Sequence, residues 1–129
     1  MRNKMEIGQV FKHWPKKTIL ESDNNLFSLI TMNHNPLHIA EDPTVIGLLV
    51  ISLAAGMSVS DITVGAKAVL SYEKIIHHKM VKIGDTINAE SLILDKKITK
   101  TGKSIIDVET SVFNQKGEKV LSFERSIMF

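Results

Sequence analysis

The chain of 129 residues contains no cysteine. That excludes disulfides, thiolate metal sites and a cysteine nucleophile, and it is compatible with a reducing cytoplasm, the expected location. Aromatic residues make up only 5%, too few for stacking platforms that hold single-stranded nucleic acid. Neither sign of charge dominates. Lys and Arg number 16 against 14 Asp and Glu, a net charge of +2, so no electrostatic footprint for nucleic acid is present. The start, Met1-Arg2-Asn3-Lys4-Met5-Glu6, lacks the apolar core of a signal peptide. The run from Pro43 to Ser60 carries no charge and is just long enough to cross a bilayer. However, Pro43, Thr44, Gly47, Ser52, Gly56, Ser58 and Ser60 interrupt it, and no aromatic belt flanks it. It reads as a core helix rather than a membrane span. With 43% hydrophobic and 23% charged residues, the chain predicts one domain over 1–129 with a single core.

What is present is a polar hexapeptide, Asn33-His34-Asn35-Pro36-Leu37-His38, just ahead of that apolar run. Histidine takes and gives protons near neutral pH, so a terminal His beside an apolar wall suits proton transfer. Pro36 fixes one backbone angle and biases Asn35 towards an extended conformation. Asn33 and Asn35 each donate and accept hydrogen bonds and tolerate unusual backbone angles.

Patterning around the hexapeptide predicts a strand over 7–12 broken by Trp14-Pro15. A helix should start at Glu21-Ser22-Asp23-Asn24, with Leu26, Phe27 and Ile30 as its core-facing stripe. A longer helix should start at Asp42-Pro43-Thr44 and run to about Val59. Strands follow over 66–76, 86–99, 104–114 and 119–128, with turns at Ile83-Gly84-Asp85, Lys100 to Lys103 and Gln115 to Glu118. Alternation should bury Ile87, Ala89, Ser91 and Ile93 on one strand, and Ile106, Val108, Thr110 and Val112 on the next. This is an α+β fold. The longer helix is apolar nearly all round, so the antiparallel sheet must wrap it. Unpaired sheet edges then favour a homodimer with a continuous sheet.

Four stretches together resemble the MaoC-like acyl dehydratase family, the (R)-specific enoyl-CoA hydratases of hot-dog fold. Ser22 through His38 is similar to the family's first helix and hydratase motif. Gly47 through Asp61 is similar to its central helix, Val81 to Thr86 to its strand-entry turn, and Phe113 to Val120 to its closing hairpin. The resemblance implies reversible addition of water to a 2-enoyl thioester of coenzyme A. The acyl group would be short, branched or dicarboxylic. No cofactor is implied, since coenzyme A enters as part of the substrate. His38 matches the motif His that moves protons. Gly47 matches the helix-start glycine whose NH polarises the thioester carbonyl, a role that suits a helix N-terminus. Asn33 stands where the motif Asp is usual, and an amide orients water but is no base. Asn35, Pro36, Leu37 and Leu48 would contact the substrate. Ala55 stands where the family has a helix Ser, Ala40 where an Asp is usual, and Ile39 to Ile46 forms a short connection. Glu41, Asp42 or His34 are substitutes for the missing acid.

Two other readings stand beside a hydratase. The absent Asp, Ala55 and the short connection also suit a non-catalytic acyl-thioester-binding subunit. A thioesterase would need a carboxylate on or near the long helix, and Val45 to Ser60 has none. His77 and His78, adjacent on a strand, should point to opposite faces and so make no metal pair. Lys96, Lys97 and Lys103 belong to a strand end and turn, with the phosphates of coenzyme A as the alternative role. Ser58 and Ser60 lack a His and acid for nucleophilic catalysis.

Overall fold

The computed structural model describes residues 5–39 and 41–129, so Ala40 and the first four residues lie outside it. Strands β1 (Val10–Lys12) and β2 (Lys17–Thr18) lead into helices α1 (Glu21–Thr31), α2 (Pro36–Ile39) and α3 (Gly47–Met57), then a π-helical turn, Val59–Thr63. Four long strands follow: β3 (Ala68–His77), β4 (Thr86–Ile98), β5 (Ser104–Phe113) and β6 (Lys119–Met128). They form an antiparallel sheet in the order β1-β4-β5-β6-β3, with β2 also on β4.

Period-two alternation in β4 and β5 gives the sheet its inner face. Ile87, Ala89, Ser91 and Ile93 are buried on β4, and Ile106, Val108, Thr110 and Val112 on β5, as expected. The register places Ala89 opposite Val112 and Ile93 opposite Val108. Leu49, Val50, Ile51 and Ala54 of α3 pack into this concavity against Ile19, Ile87, Val120, Leu121 and Phe123. Each large side chain so buried contributes roughly 1.5–3 kcal/mol. The architecture is the sheet-wrapped helix that the pattern predicted. No helix among the described residues is long and apolar enough to cross a membrane.

Helix α1 departs from expectation. Its apolar stripe faces out, with Leu26 61% and Ile30 68% exposed, and only Phe27 packs on the core. The inward positions are Asn24 and Ser28. The cause is the chain after α1, whose backbone groups from Asn33 to Ile46 need polar partners that Asn24 and Ser28 supply. Ser28 O accepts the Asn33 amide, Ser28 Oγ donates to the Asn33 carbonyl, and Met32 takes a left-handed conformation to close the helix.

Asp23 closes the other end by accepting the Leu20 amide at 2.8 Å and pairing with Lys17 Nζ at 2.9 Å. The Leu20 hydrogen bond first, then Lys17, hold its carboxyl below the usual Asp value. A depressed folded-state value means the cap's contribution is present above the unfolded carboxyl value of about 3.9, and is lost as pH falls through the lower folded value. Asp23→Asn is therefore expected to melt earlier than the parent at pH 7, with the gap narrowing as pH falls below the unfolded carboxyl value. Thermal melts across pH measure this, and a constant gap at every pH would refute it.

Helix α3 begins at Gly47, not at Asp42-Pro43-Thr44. Thr44 pairs with Lys82 as a single antiparallel bridge, and the Val45 amide donates to the Val81 carbonyl at 2.8 Å. That pairing holds residues 44–45 extended and delays the helix. The strand expected over 7–12 begins only at Val10, because Gly8 sits at φ +88°.

Candidate active site

The hexapeptide leads into a one-turn helix, α2, and its asparagines hold the entry to it. Asn33 Oδ1 accepts the Asn35 amide at 3.3 Å, and Asn35 Oδ1 accepts the Leu37 amide at 3.0 Å. The His38 amide donates to the Asn35 carbonyl at 2.9 Å. Pro36 takes the first helical position, where no NH is needed.

His38 Nδ1 lies 2.7 Å from the Thr44 carbonyl. A carbonyl only accepts, so Nδ1 must carry the proton. In the neutral ring that leaves Nε2 with the free lone pair, the form a general base requires. A backbone carbonyl therefore orients this imidazole. No hydrogen bond joins Asn33 to His38.

The chain after His38 is fastened amide by amide. Thr44 N donates to Leu37 O at 2.9 Å, Val45 N to Val81 O at 2.8 Å, and Ile46 N to Asn24 Oδ1 at 3.1 Å. The next two amides, of Gly47 and Leu48, meet no acceptor among the described residues. They are the free donors of the α3 N-terminus, where the helix dipole favours negative charge.

His38 and Gly47 share one cavity of about 230 Å³, lined also by Thr44, Val50, His77 and Lys79. His77 packs directly on Gly47. A Cβ built there would lie 2.5 Å from His77 Cε1, so only glycine lets the ring approach the helix start. Lys79 forms an ion pair with Glu118. That pairing, chiefly, holds the Glu118 carboxyl below its ordinary value, with Asn114 adding a hydrogen bond.

Of the residues expected at the site, the structure brings His38 and Gly47 together. Asn33, Asn35, Pro36 and Leu37 lie outside the cavity lining, and Leu48 borders a separate apolar groove along α3 with Phe27, Ile51, Ala55, Tyr72 and Ile75. His34 is exposed, and Glu41 and Asp42 line another hollow. Asn24, Thr44 and His77 were not singled out for the site. Asn24 read as part of a helix cap, and no local pattern shows that a backbone carbonyl will orient a ring.

The two adjacent histidines do part company: His77 goes to the cavity, while His78 Nε2 lies 2.8 Å from Ser122 Oγ. The Lys96–Lys103 segment lies at the opposite end of the sheet, because Lys97 pairs with Ile105 while His77 pairs with Leu121. Elsewhere, Asp61, His13 and Ser91 stand in the order of a hydrolase triad at 2.8 and 2.7 Å. Ser91 is 1% exposed and shares its hydroxyl with Thr110, so no substrate reaches it and the trio is a strut.

The family model described as MaoC like domain matches residues 2–115. The mesaconyl-CoA hydratase of Cereibacter sphaeroides is 39% identical over 82 residues, which is 63% of this chain and 24% of that protein. The chain thus spans about a quarter of that relative's length. A putative MaoC domain protein dehydratase from Chloroflexus aurantiacus superposes with TM-score 0.91 at 26% identity, covering 98% of this chain and 39% of the other. Rv0216 of Mycobacterium tuberculosis, described as having a double hotdog fold, superposes with TM-score 0.88 at 20% identity over 99% of this chain and 43% of that one.

Proposed function

This chain belongs to the MaoC-like domain family, and from that premise we propose that it adds water across the 2,3 double bond of an acyl-CoA thioester. The observation that carries the reading is the fixed His38 tautomer beside a free helix-start amide. His38 Nε2 takes a proton from water as the water oxygen bonds to C3 of the enoyl group. Electrons of the double bond move to the thioester oxygen, which the Gly47 NH holds. His38 then returns the proton to C2, and the carbonyl re-forms.

The acyl group we propose is short, and branched or dicarboxylic. The small cavity supports a short chain. Two imidazoles and Lys79 line it; Lys79 is paired with Glu118 but has further NH donors, which favours an acyl group carrying its own carboxylate. The relative's name, mesaconyl-CoA hydratase, points the same way. The protein is further read as a homodimer, because β3 is a sheet edge on which Leu70, Tyr72, Ile75 and Ile76 stand exposed.

A panel of 2-enoyl-CoA thioesters tests this by loss of the conjugated-thioester absorbance. Crotonyl-CoA, mesaconyl-CoA and a straight ten-carbon 2-enoyl-CoA are the informative members. Mesaconyl-CoA is expected to exceed crotonyl-CoA in kcat/KM by about tenfold or more, the worth of one charge-assisted hydrogen bond, and the long chain should fail. The same preparation should elute at twice the chain mass. Coenzyme A thioester binding without turnover would instead favour the non-catalytic subunit.

A further inference from the structure

Asn24 is fully buried in α1, and its two amide atoms are spent on the two halves of the proposed machinery. Its Nδ2 donates to the His38 carbonyl at 2.7 Å, and its Oδ1 accepts the Ile46 amide at 3.1 Å. Ile46 is the residue just before Gly47. We infer that Asn24 is the positioning residue that sets the separation between the His38 imidazole and the Gly47 amide. The inference rests on the hydration reading given above.

Three physical points carry it. A neutral amide is the side chain that donates at one end and accepts at the other. At full burial, each unmet partner would carry the cost of an unsatisfied backbone group, so the side chain is held in one orientation. Asn24 also occupies the Ile46 NH and no other, which leaves the Gly47 NH as the first free donor of α3. Without that bond the Ile46 amide would compete for the thioester oxygen. Its carbonyl contact fixes His38 from the backbone side, while Thr44 fixes the ring. Reacting groups misplaced by about 1 Å lose around a hundredfold in rate.

Asn24→Asp tests the inference with almost no change of shape. The ionised carboxylate still accepts from Ile46 but turns a second lone pair on the His38 carbonyl. Protonation restores the donor. Burial against a carbonyl raises the carboxyl's titration range. The titratable groups on the surrounding segments are Glu21 and Asp23 on α1 with Lys17 beside them, His34 and His38 before and on α2, Glu41 and Asp42 in the connection, and Lys82 beside Thr44. In Asn24→Asp, kcat on the best thioester should fall about ten- to hundredfold at pH 8. KM should stay within about twofold, and the pH optimum should move down. Asn24→Ala removes both bonds and should lose kcat without recovery in acid; it carries the test if the Asp variant does not fold. A parent-like kcat and pH profile in both would overturn the inference. NMR separates its failure from failure of the hydration reading. If the parent turns over no thioester, the His38 ring nitrogen shifts and Ile46 amide exchange still report the tether. Parent-like values for both in the folded variants would overturn it regardless of activity.

Discussion

His38→Ala is expected to lower kcat for enoyl-thioester hydration by about 10²–10⁴, the usual worth of a positioned acid–base group. The fold should survive. His38 is only partly buried, and its ring makes one hydrogen bond, to the Thr44 carbonyl, worth about 1 kcal/mol. His38→Gln sharpens the test, because the glutamine amide can still donate to Thr44 while offering no basic nitrogen. Both variants should lose rate alike although only one loses the hydrogen bond. KM should change little, since the lost group acts on water rather than on the coenzyme A portion. Parent-level turnover by His38→Gln would remove His38 as the base. The role would then pass to the other imidazole in the cavity, His77. The Asp of the family motif is here Asn33, which has no basic lone pair. His38 must therefore both accept and return the proton, so its loss should remove both proton transfers at once.

How far this site could be read in advance depends on whether its parts are local. Pro36-Leu37-His38 stood out because a tight turn leaves a residue-type signature, whereas Gly47 came only from the family resemblance. The β4 and β5 alternation was legible because one face of each strand meets the core along its whole length. The same reasoning failed on α1. Periodicity showed that Leu26 and Ile30 share a face, but not which face turns inward. The inward face belongs to Asn24 and Ser28. Ser28 reaches only Asn33, but Asn24's partners lie on α2 and beyond it, as many as 22 residues along the chain. Those partners are backbone groups, which carry no sequence identity. For the same reason the α3 start was placed too early. The pairing of Thr44 with Lys82 spans 38 residues, and nothing in Asp42-Pro43-Thr44 announces it. His77 drew no site role from its neighbours in sequence, because its contact with Gly47 exists only once β3 lies against α3.

Removing the buried cation at the far end of α3 should have the largest effect on stability. Arg125 is 1% exposed, and its Nη2 donates to Ser58 Oγ and Thr110 Oγ1, each at 3.1 Å. The guanidinium lies 5.3 Å from the Phe123 ring centre, and Nε has no acceptor among the described residues. Burial pulls its titration below the ordinary arginine value. Thr110, Ser91 and His13 carry a hydrogen-bonded line from it to Asp61 at the surface. Ser58 is the residue after α3, so this belt pins the helix whose other end carries Gly47. Arg125→Ala would empty a large volume beside Phe123 and leave Thr110 and Ser58 each one donor short. We expect a loss of about 3–5 kcal/mol, as for other large-to-Ala changes in cores, out of a total of roughly 5–15 kcal/mol. Arg125→Met keeps most of the volume and removes a charge whose desolvation no carboxylate directly offsets. Thr110 and Ser58 retain their bonds to Ser91 and to the Ala55 carbonyl. That variant should therefore lie within about 1 kcal/mol of the parent. Urea denaturation of the three proteins measures both differences. If Met proved as costly as Ala, the positive charge itself, rather than the space it fills, would be what holds the end of α3 in place.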